Sequence, residues 1–162
     1  ASDQPHLPGL VQGYFGDNNP FGLSGNSVAD GRYVINPQFE WCGGGFLSTS
    51  ADLACLARAI HDQDLIPAEV HQQQVQAVNF RTGEPAETGY GLGTFVWKTD
   101  LGLFYGHAGI MPGYLTQVEY SPEHGFAVAL QCNSDADMGQ HHHTQVQKLA
   151  QVVTDYLQQD RD

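Results

Sequence analysis

The spacing of hydrophobic residues changes along the chain from a helical period to an extended one and back again. A capping residue, Thr49, precedes a stripe at helical spacing that is formed by Leu53, Leu56, Ala57 and Ile60. Pro67 predicts the start of a second, shorter helix, because its ring suits the first helical position. Towards the end of the chain, a helix is predicted over about 144–158, with one apolar face formed by Val146, Leu149, Ala150, Val153 and Leu157.

Between these helices, four apolar runs are typical of β-strands, at residues 90–98, 103–110, 115–120 and 125–133. The turns that join them are short, whereas a parallel crossover needs about a dozen residues or more, so neighbouring strands are predicted to pair antiparallel. The chain is therefore predicted to be an α+β protein. It has an antiparallel β-sheet meander flanked by helices, with the C-terminal helix packed on the sheet.

Residues 1–40 keep no hydrophobic period and are rich in glycine, proline, asparagine and aspartate. So long an irregular segment is unusual inside a compact domain. The sequence therefore divides into an irregular lead-in, residues 1–40, and a body, residues 41–162. We expect the lead-in to run across another part of the protein.

Composition narrows the classes of partner. Hydrophobic residues make up 41% of the sequence, charged residues 15%, and the formal net charge is −12. These values predict a globular protein that repels nucleic-acid phosphates and anionic lipid. No apolar run approaches the roughly 20 residues of a membrane-spanning helix. The cysteines, Cys42, Cys55 and Cys132, lack metal-type spacing and are interpreted as small buried hydrophobes, with a Cys42–Cys132 disulfide as the open alternative.

The strongest candidate for chemistry lies at the end of the second predicted strand. His107, Ala108 and Gly109 follow an apolar run rich in aromatic residues, and Gly106 and Gly113 flank them. Glycines within a strand mark a bulge or a close approach to the backbone. One interpretation is a ligand-binding ledge, with an imidazole beside a bare backbone edge. The other is a glycine-rich hairpin whose histidine caps a polar end.

A metal site is not predicted. The residue types that bind metals are concentrated in one segment, which contains Asp135, Asp137, His141, His142 and His143. Consecutive side chains point in different directions, whereas metal sites draw convergent ligands from separate elements. We interpret the segment as a polar lead-in to the last helix, and we expect no resident metal or cofactor.

The sequence also lacks a nucleophilic residue in a recognisable catalytic motif. Its candidate hydroxyl groups lie in cap or turn contexts, and none has a lysine three positions later; they are Ser48, Ser50, Ser121 and Ser134. Cys55 has only Arg58 nearby to stabilise a thiolate, so it is predicted to be inert. These residues alone do not describe a whole active site.

Four stretches carry a family resemblance. Residues 41–54 contain Gly-Gly-Phe-Leu-Ser-Thr-Ser-Ala-Asp-Leu, and residues 90–97 begin Tyr-Gly-Leu-Gly. Residues 106–114 read Gly-His-Ala-Gly-Ile-Met-Pro-Gly-Tyr. Residues 126–135, which end in Cys-Asn-Ser-Asp, are the fourth stretch. In this order and spacing they resemble the class C β-lactamase-like serine hydrolases, a superfamily that includes penicillin-binding DD-peptidases and esterases. The resemblance implies a partial β-lactamase/transpeptidase-like fold for residues 41–162.

The resemblance also implies an acyl-transfer site. His107, Ala108 and Gly109 stand where the family has its Lys/His-Thr/Ser-Gly triad, and the backbone N–H of Ile110 is then expected in the oxyanion hole. Gly109 would let a substrate lie alongside as an extra strand. The substrate is expected to be a small acyl, peptide or β-lactam-type compound. Because Ala108 lacks the hydroxyl that helps to orient a carboxylate, an ester or peptide is favoured.

The family's Ser-x-x-Lys nucleophile and its Tyr-x-Asn/Ser motif do not occur here in a matching context. The resemblance therefore implies a C-terminal fragment of a serine hydrolase that is inactive alone and whose partner is the missing N-terminal half. Its incomplete sheet would invite self-association, and its expected location is periplasmic or secreted. The alternative is a free-standing, non-catalytic module that binds a peptide or partner protein through the same sheet edge.

Overall fold

A computed structural model of the chain describes residues 8–17, 19, 21–62, 65–136 and 141–159. The first of two compact units contains residues 1–49, 108–116 and 131–143, and the second contains residues 50–107, 117–130 and 144–162. Within the part of the chain described, no helix is long and apolar enough to cross a membrane. In chain order the elements are β1 (Val28–Ala29), β2 (Arg32–Tyr33), a 3-10 helix (Pro37–Phe39), α1 (Trp41–Gly44), α2 (Ser50–His61), α3 (Ala68–Gln74), β3 (Gly89–Tyr90), β4 (Phe95–Thr99), β5 (Gly102–Met111), β6 (Tyr114–Ser121), β7 (Phe126–Cys132) and α4 (His142–Gln159).

The predicted antiparallel sheet and the α+β class are confirmed. Five strands form one sheet in the order β3-β4-β5-β6-β7, so each strand pairs with its neighbours in sequence. Strands β5, β6 and β7 each contain residues of both units. The short turns between the strands give this meander its order, because they leave no length for a crossover.

The predicted strand over residues 90–98 is in fact two strands, β3 and β4, separated by a tight turn. The N–H of Gly91 donates to the carbonyl oxygen of Thr94 at 2.8 Å. Gly93 has a φ of +72°, in the left-handed region that favours glycine. A Cβ on Gly91 would clash with the carbonyl oxygen of Gln74. The two glycines therefore interrupt an apolar run that would otherwise continue as one strand.

The lead-in contains a hairpin that its composition did not predict. Strands β1 and β2 pair antiparallel within the first unit. Asp30 and Gly31 connect them with φ values of +50° and +72°, the positive pair that a type I′ turn requires. An Asp-Gly pair between short strands is a hairpin signal, but here it lies among many other turn-forming residues.

The prediction that the cysteines are buried is wrong. Cys42, Cys55 and Cys132 are all exposed, and no disulfide joins them. In α2 the buried residues are Ala57 and His61, so Cys55 lies on the outward side of that helix. Helix α1, which contains Cys42, has no buried residue. The orientation of each element decides this exposure, and a preference of the thiol for apolar surroundings does not override it.

The apolar core of the second unit lies where α4 packs on the sheet, as predicted. Phe104, on β5, and Val146, on α4, are both 0% exposed. Burial of a large apolar side chain contributes about 1.5–3 kcal/mol, so this contact is a main source of stability. The cluster consists of Phe104, Phe126, Val128, Val146 and Ala150.

A buried carboxylate organises the first unit. Asp135 is 0% exposed, and its two oxygens accept hydrogen bonds from the N–H groups of Gly16, at 2.5 Å, and of Gly113, at 2.8 Å. A Cβ on Gly16 would clash with Ala136, so only glycine allows this approach. A buried charge requires such donors, because an unpaired carboxylate away from water is costly. Asp135 thus joins the lead-in to the turn between β5 and β6.

We predict that Asp135→Asn lowers the free energy of unfolding by about 2–4 kcal/mol, because hydrogen bonds to a charged acceptor are worth about 1.5–3 kcal/mol each. The amide keeps one acceptor oxygen, so one of the two backbone donors loses its partner. Urea denaturation followed by circular dichroism measures the change. Asp100→Asn, at an exposed position of the β4–β5 turn, is the control, with an expected change within about 0.5 kcal/mol. Equal losses in both variants would contradict the prediction.

Two histidines form a buried pair in the second unit. His61, at the end of α2, and His71, in α3, are each 7% exposed, and Nδ1 of His61 lies 3.0 Å from Nε2 of His71. The ring of His61 also contacts the rings of Tyr105 and Tyr120. The pKa of His61 is lowered to about 4, first by burial and second by the neighbouring His71. Asp62 acts to raise this pKa. Burial also lowers the pKa of His71.

We predict that this pair stabilises the fold less in acid than at neutral pH. An imidazole whose folded pKa lies below its unfolded value stabilises the fold above the unfolded pKa, and that contribution is lost as the pH falls toward the folded pKa. For His61 the window runs from about pH 6.5 to about pH 4. The contribution of His61 to the free energy of unfolding is expected to fall by about 2–3 kcal/mol between pH 7.5 and pH 4.5.

The measurement compares the wild type with His61→Gln in urea at a series of pH values. The comparison is needed because burial raises the pKa of Glu119 to about 7, against the hydrogen bonds from Gln117 and Gln147, and this stabilises the fold at low pH. Both proteins keep Glu119, so the stability difference between them isolates His61 and should shrink in acid. His124→Gln is the matched control. A difference that stays constant from pH 7.5 to pH 4.5 would contradict the prediction.

Candidate functional site

Strand β5 extends beyond the strand that pairs with it on one side. Its pairing with β4 runs from Thr99–Gly102 to Phe95–Gly106, whereas β5 continues to Met111. We call the part after Gly106 the β5 overhang. Its exposed residues include His107, Ala108 and Gly109, which the sequence assigned to the ledge. Ile110, which the family resemblance assigned to the oxyanion hole, is also exposed.

Two glycines act differently, one just before the overhang and one within it. A Cβ on Gly106 would clash with the backbone carbonyl of Val118, so glycine allows β6 to approach β5 closely at this point. A Cβ on Gly109 would have no atom within 4 Å, which means that the space above this residue is open. The structure therefore leaves open space beside the backbone at Gly109.

The imidazole of His107 lies in an aromatic setting, with a tyrosine hydroxyl as a polar partner. The hydroxyl oxygen of Tyr90 is 2.8 Å from Nε2 of His107. The ring of Phe95 lies 4.9 Å from the imidazole and 4.8 Å from the ring of Tyr90, measured between centroids. The side chain of His107 is thus held by contacts on one side and exposed on the other. A group in this position can hold or transfer a proton at the surface.

The chain beyond Ile110 is fixed by hydrogen bonds of the first unit. The Tyr33 hydroxyl donates to the carbonyl oxygen of Pro112 at 2.8 Å. Burial raises the pKa of Tyr33, and Tyr114 and Asp135 raise it further, so this hydroxyl keeps its proton. With the Gly113 N–H bound to Asp135, the turn that follows the overhang is firmly positioned.

The sequence predicted which residues stand on the overhang but missed the partners of His107. Tyr90 and Phe95 both fall within the predicted strand 90–98, and no local pattern links them to a residue more than ten positions away. The one available signal was the Tyr-Gly-Leu-Gly stretch itself, whose glycines interrupt the strand immediately after Tyr90.

The histidine-rich segment runs into the start of α4. Among the described residues, no three His, Cys, Asp or Glu side chains converge. His141 is exposed whereas His142 is 6% exposed, and burial lowers the pKa of His143. The three side chains therefore occupy different environments. Asp137, the other candidate in this segment, lies outside the described residues.

The chain resembles known proteins in sequence and in fold. The family model described as Beta-lactamase matches residues 2–151. A D-stereospecific amidohydrolase from Streptomyces sp. has a similar structure, with a TM-score of 0.67 and 22% identity over 83% of this chain and 38% of that chain. The structure of SurE gives a TM-score of 0.44 and 26% identity over 69% of this chain and 25% of that one. No curated protein matches significantly. The chain thus spans well under half of the amidohydrolase.

We predict that Tyr90 selects the tautomer of His107. A phenol is a better donor than acceptor, so its O–H donates to Nε2 and leaves the imidazole proton on Nδ1. Tyr90→Phe removes this donor and should increase the tautomer protonated at Nε2. The ¹⁵N chemical shifts of the His107 ring at high pH report the two tautomers. Tyr156→Phe, an exposed tyrosine of α4, is the control. Identical shifts in the wild type and Tyr90→Phe would contradict the prediction.

Proposed function

The chain belongs to the beta-lactamase family of serine hydrolases, and we propose that it supplies the oxyanion side of an acyl-hydrolase active site. The β5 overhang is the observation that supports this proposal. It presents an imidazole, His107, and an open backbone position, Gly109, within three residues of each other. Acyl transfer needs both a proton-transferring group and backbone hydrogen-bond donors at one place.

Each residue of the overhang has a proposed role. The N–H of Ile110 donates to the oxyanion of the tetrahedral intermediate, a contribution of about 3–4 kcal/mol in comparable sites. Gly109 leaves room for the substrate to lie along the strand as an added strand. His107, with Tyr90 at Nε2, exchanges a proton with the leaving group. Ala108 has no hydroxyl to orient a carboxylate, which favours ester or amide substrates without a carboxylate at that position.

The proposed reaction is acyl transfer to a serine. The serine hydroxyl gives up its proton to a general base as its oxygen forms a bond to the acyl carbonyl carbon, and the negative charge that develops on the carbonyl oxygen is stabilised by the N–H of Ile110. The bond to the leaving oxygen or nitrogen then breaks as that atom takes up a proton. Water attacks the acyl-serine in the second half of the reaction, releases the acid and restores the serine hydroxyl.

The nucleophile is proposed to come from outside these 162 residues, which contain no Ser-x-x-Lys. It belongs either to an N-terminal half of the same enzyme or to a separate chain, and the present chain is then inactive alone. A periplasmic or secreted location is part of the same proposal, since it is common in the family.

The experiment uses a serine-directed fluorophosphonate on two proteins: the 162-residue chain and the product of the longest reading frame that contains it. We expect the label only on the longer product, at the serine of an upstream Ser-x-x-Lys. In that product, His107→Ala should slow ester hydrolysis about 100-fold or more, which is typical for loss of a proton-transferring or oxyanion-stabilising group. Urea denaturation should show little change in stability, because the side chain of His107 is exposed.

His124→Ala is the matched control, since His124 lies in the β6–β7 turn and has no proposed role. Stoichiometric labelling of a serine within these 162 residues would refute the external nucleophile. A longer reading frame without Ser-x-x-Lys, or one that is no longer than the present chain, would instead favour a non-catalytic binding module. Full activity of His107→Ala would refute the role given to the imidazole.

A further inference from the structure

A cavity of about 740 Å³ opens in the second unit beside β3 and β4. Its volume falls within the roughly 300–1,000 Å³ range of sites for drug-sized ligands. The lining combines an aromatic group, Phe80, Phe95 and Trp97, with a charged group, Arg81, Glu87 and Lys98.

The aromatic residues form a wall that is suited to a flat apolar ligand. Phe95 and Trp97 are stacked, with centroids 5.2 Å apart and an angle of 19° between the rings. Phe80 lies 5.8 Å from Phe95 at an angle of 48°. Phe80 is 68% exposed despite its size. A planar ring placed against this wall would remove that apolar surface from water and gain stacking contacts.

The charged residues favour an anion. Lys98 and Glu87 form an ion pair at 2.5 Å, so their charges largely cancel. Arg81 has no carboxylate within ion-pair distance among the described residues. The chain has a net charge of −12 and only 6 lysine and arginine residues. Two of these 6 residues line this cavity. The remaining guanidinium can bind a carboxylate or sulfonate through two parallel hydrogen bonds.

The cavity adjoins the candidate site through a shared residue. Phe95 lines the cavity, and its ring lies 4.9 Å from the imidazole of His107. Phe80 lies 5.9 Å from Tyr90, whose hydroxyl contacts the same imidazole. A ligand in the cavity would therefore be separated from His107 by a single layer of aromatic rings.

We propose that this cavity binds an aryl group that bears an anionic substituent, as a part of the substrate of the proposed hydrolase. The aryl ring packs on Phe80 and Trp97, and the anion pairs with Arg81. This inference rests on the proposed function for its connection with catalysis. The binding itself requires no turnover, so it can be measured on the 162-residue chain whatever the source of the nucleophile.

The experiment follows the indole N–H signal of Trp97 by ¹⁵N–¹H NMR during titration with 2-naphthoate. Trp41→Phe assigns this signal, because the chain has only two tryptophans. We expect a saturable shift of Trp97, accompanied by a shift of the His107 ring signals. Phe80→Ala should weaken binding about tenfold through lost stacking and burial. Arg81→Gln should weaken 2-naphthoate binding about tenfold and leave the neutral 2-naphthylmethanol unchanged.

Arg32→Gln, an exposed arginine of β2, is the matched control and should bind 2-naphthoate as the wild type does. No saturable shift at millimolar 2-naphthoate would overturn the proposal, whatever the outcome of the serine labelling. Equal loss of both ligands in Arg81→Gln, or equal affinity for 2-naphthylmethylamine, would overturn the choice of an anion. A shift of Trp97 without any shift of His107 would overturn the assignment of the cavity to the substrate.

Discussion

The candidate site depends on a difference in length between two paired strands. β4 has 5 residues and β5 has 10, so the second half of β5 runs past their last pair, Phe95–Gly106. Extending β4 backwards along its partner would place a strand beside His107. The turn at Gly91 and Gly93 prevents this. A strand that runs past its neighbour is usually a liability, and in the proposed function this part of β5 is the surface on which the substrate lies.

The same turn also explains the setting of the imidazole. β4 lies between β3 and β5 in the sheet, yet the hydroxyl of Tyr90 reaches Nε2 of His107 at 2.8 Å. This contact is possible because β4 begins only at Phe95. No residue of β4 before Phe95 lies between the side chains of Tyr90 and His107. The ring of Phe95 fills the remaining space against both of them. Two glycines thus create the overhang and provide its histidine with a polar partner.

Much of the fold could be predicted because its main elements have regular periods and short connections. The helices around Ala57 and Val146 and the antiparallel order of the strands follow from local spacing alone. Burial was harder to predict, because it depends on which face of each element meets another. His61 is buried in a helix whose Leu56 is 50% exposed, and Cys55 is exposed as well. The fully buried Asp135 depends on backbone donors that no side-chain pattern reveals.

The histidines show why the candidate site could be predicted only in part. The chain has 8 of them, and the same side chain takes opposite roles in two places. His61 is buried against His71, and its pKa is lowered to about 4, so it stays neutral and serves packing. His107 is exposed beside Gly109, where nothing stands within 4 Å of a Cβ. The glycines around His107 were a usable signal, because residues without side chains leave a neighbouring imidazole accessible. The contact of His107 with Tyr90 could not be predicted from the sequence, because it depends on where a different strand begins.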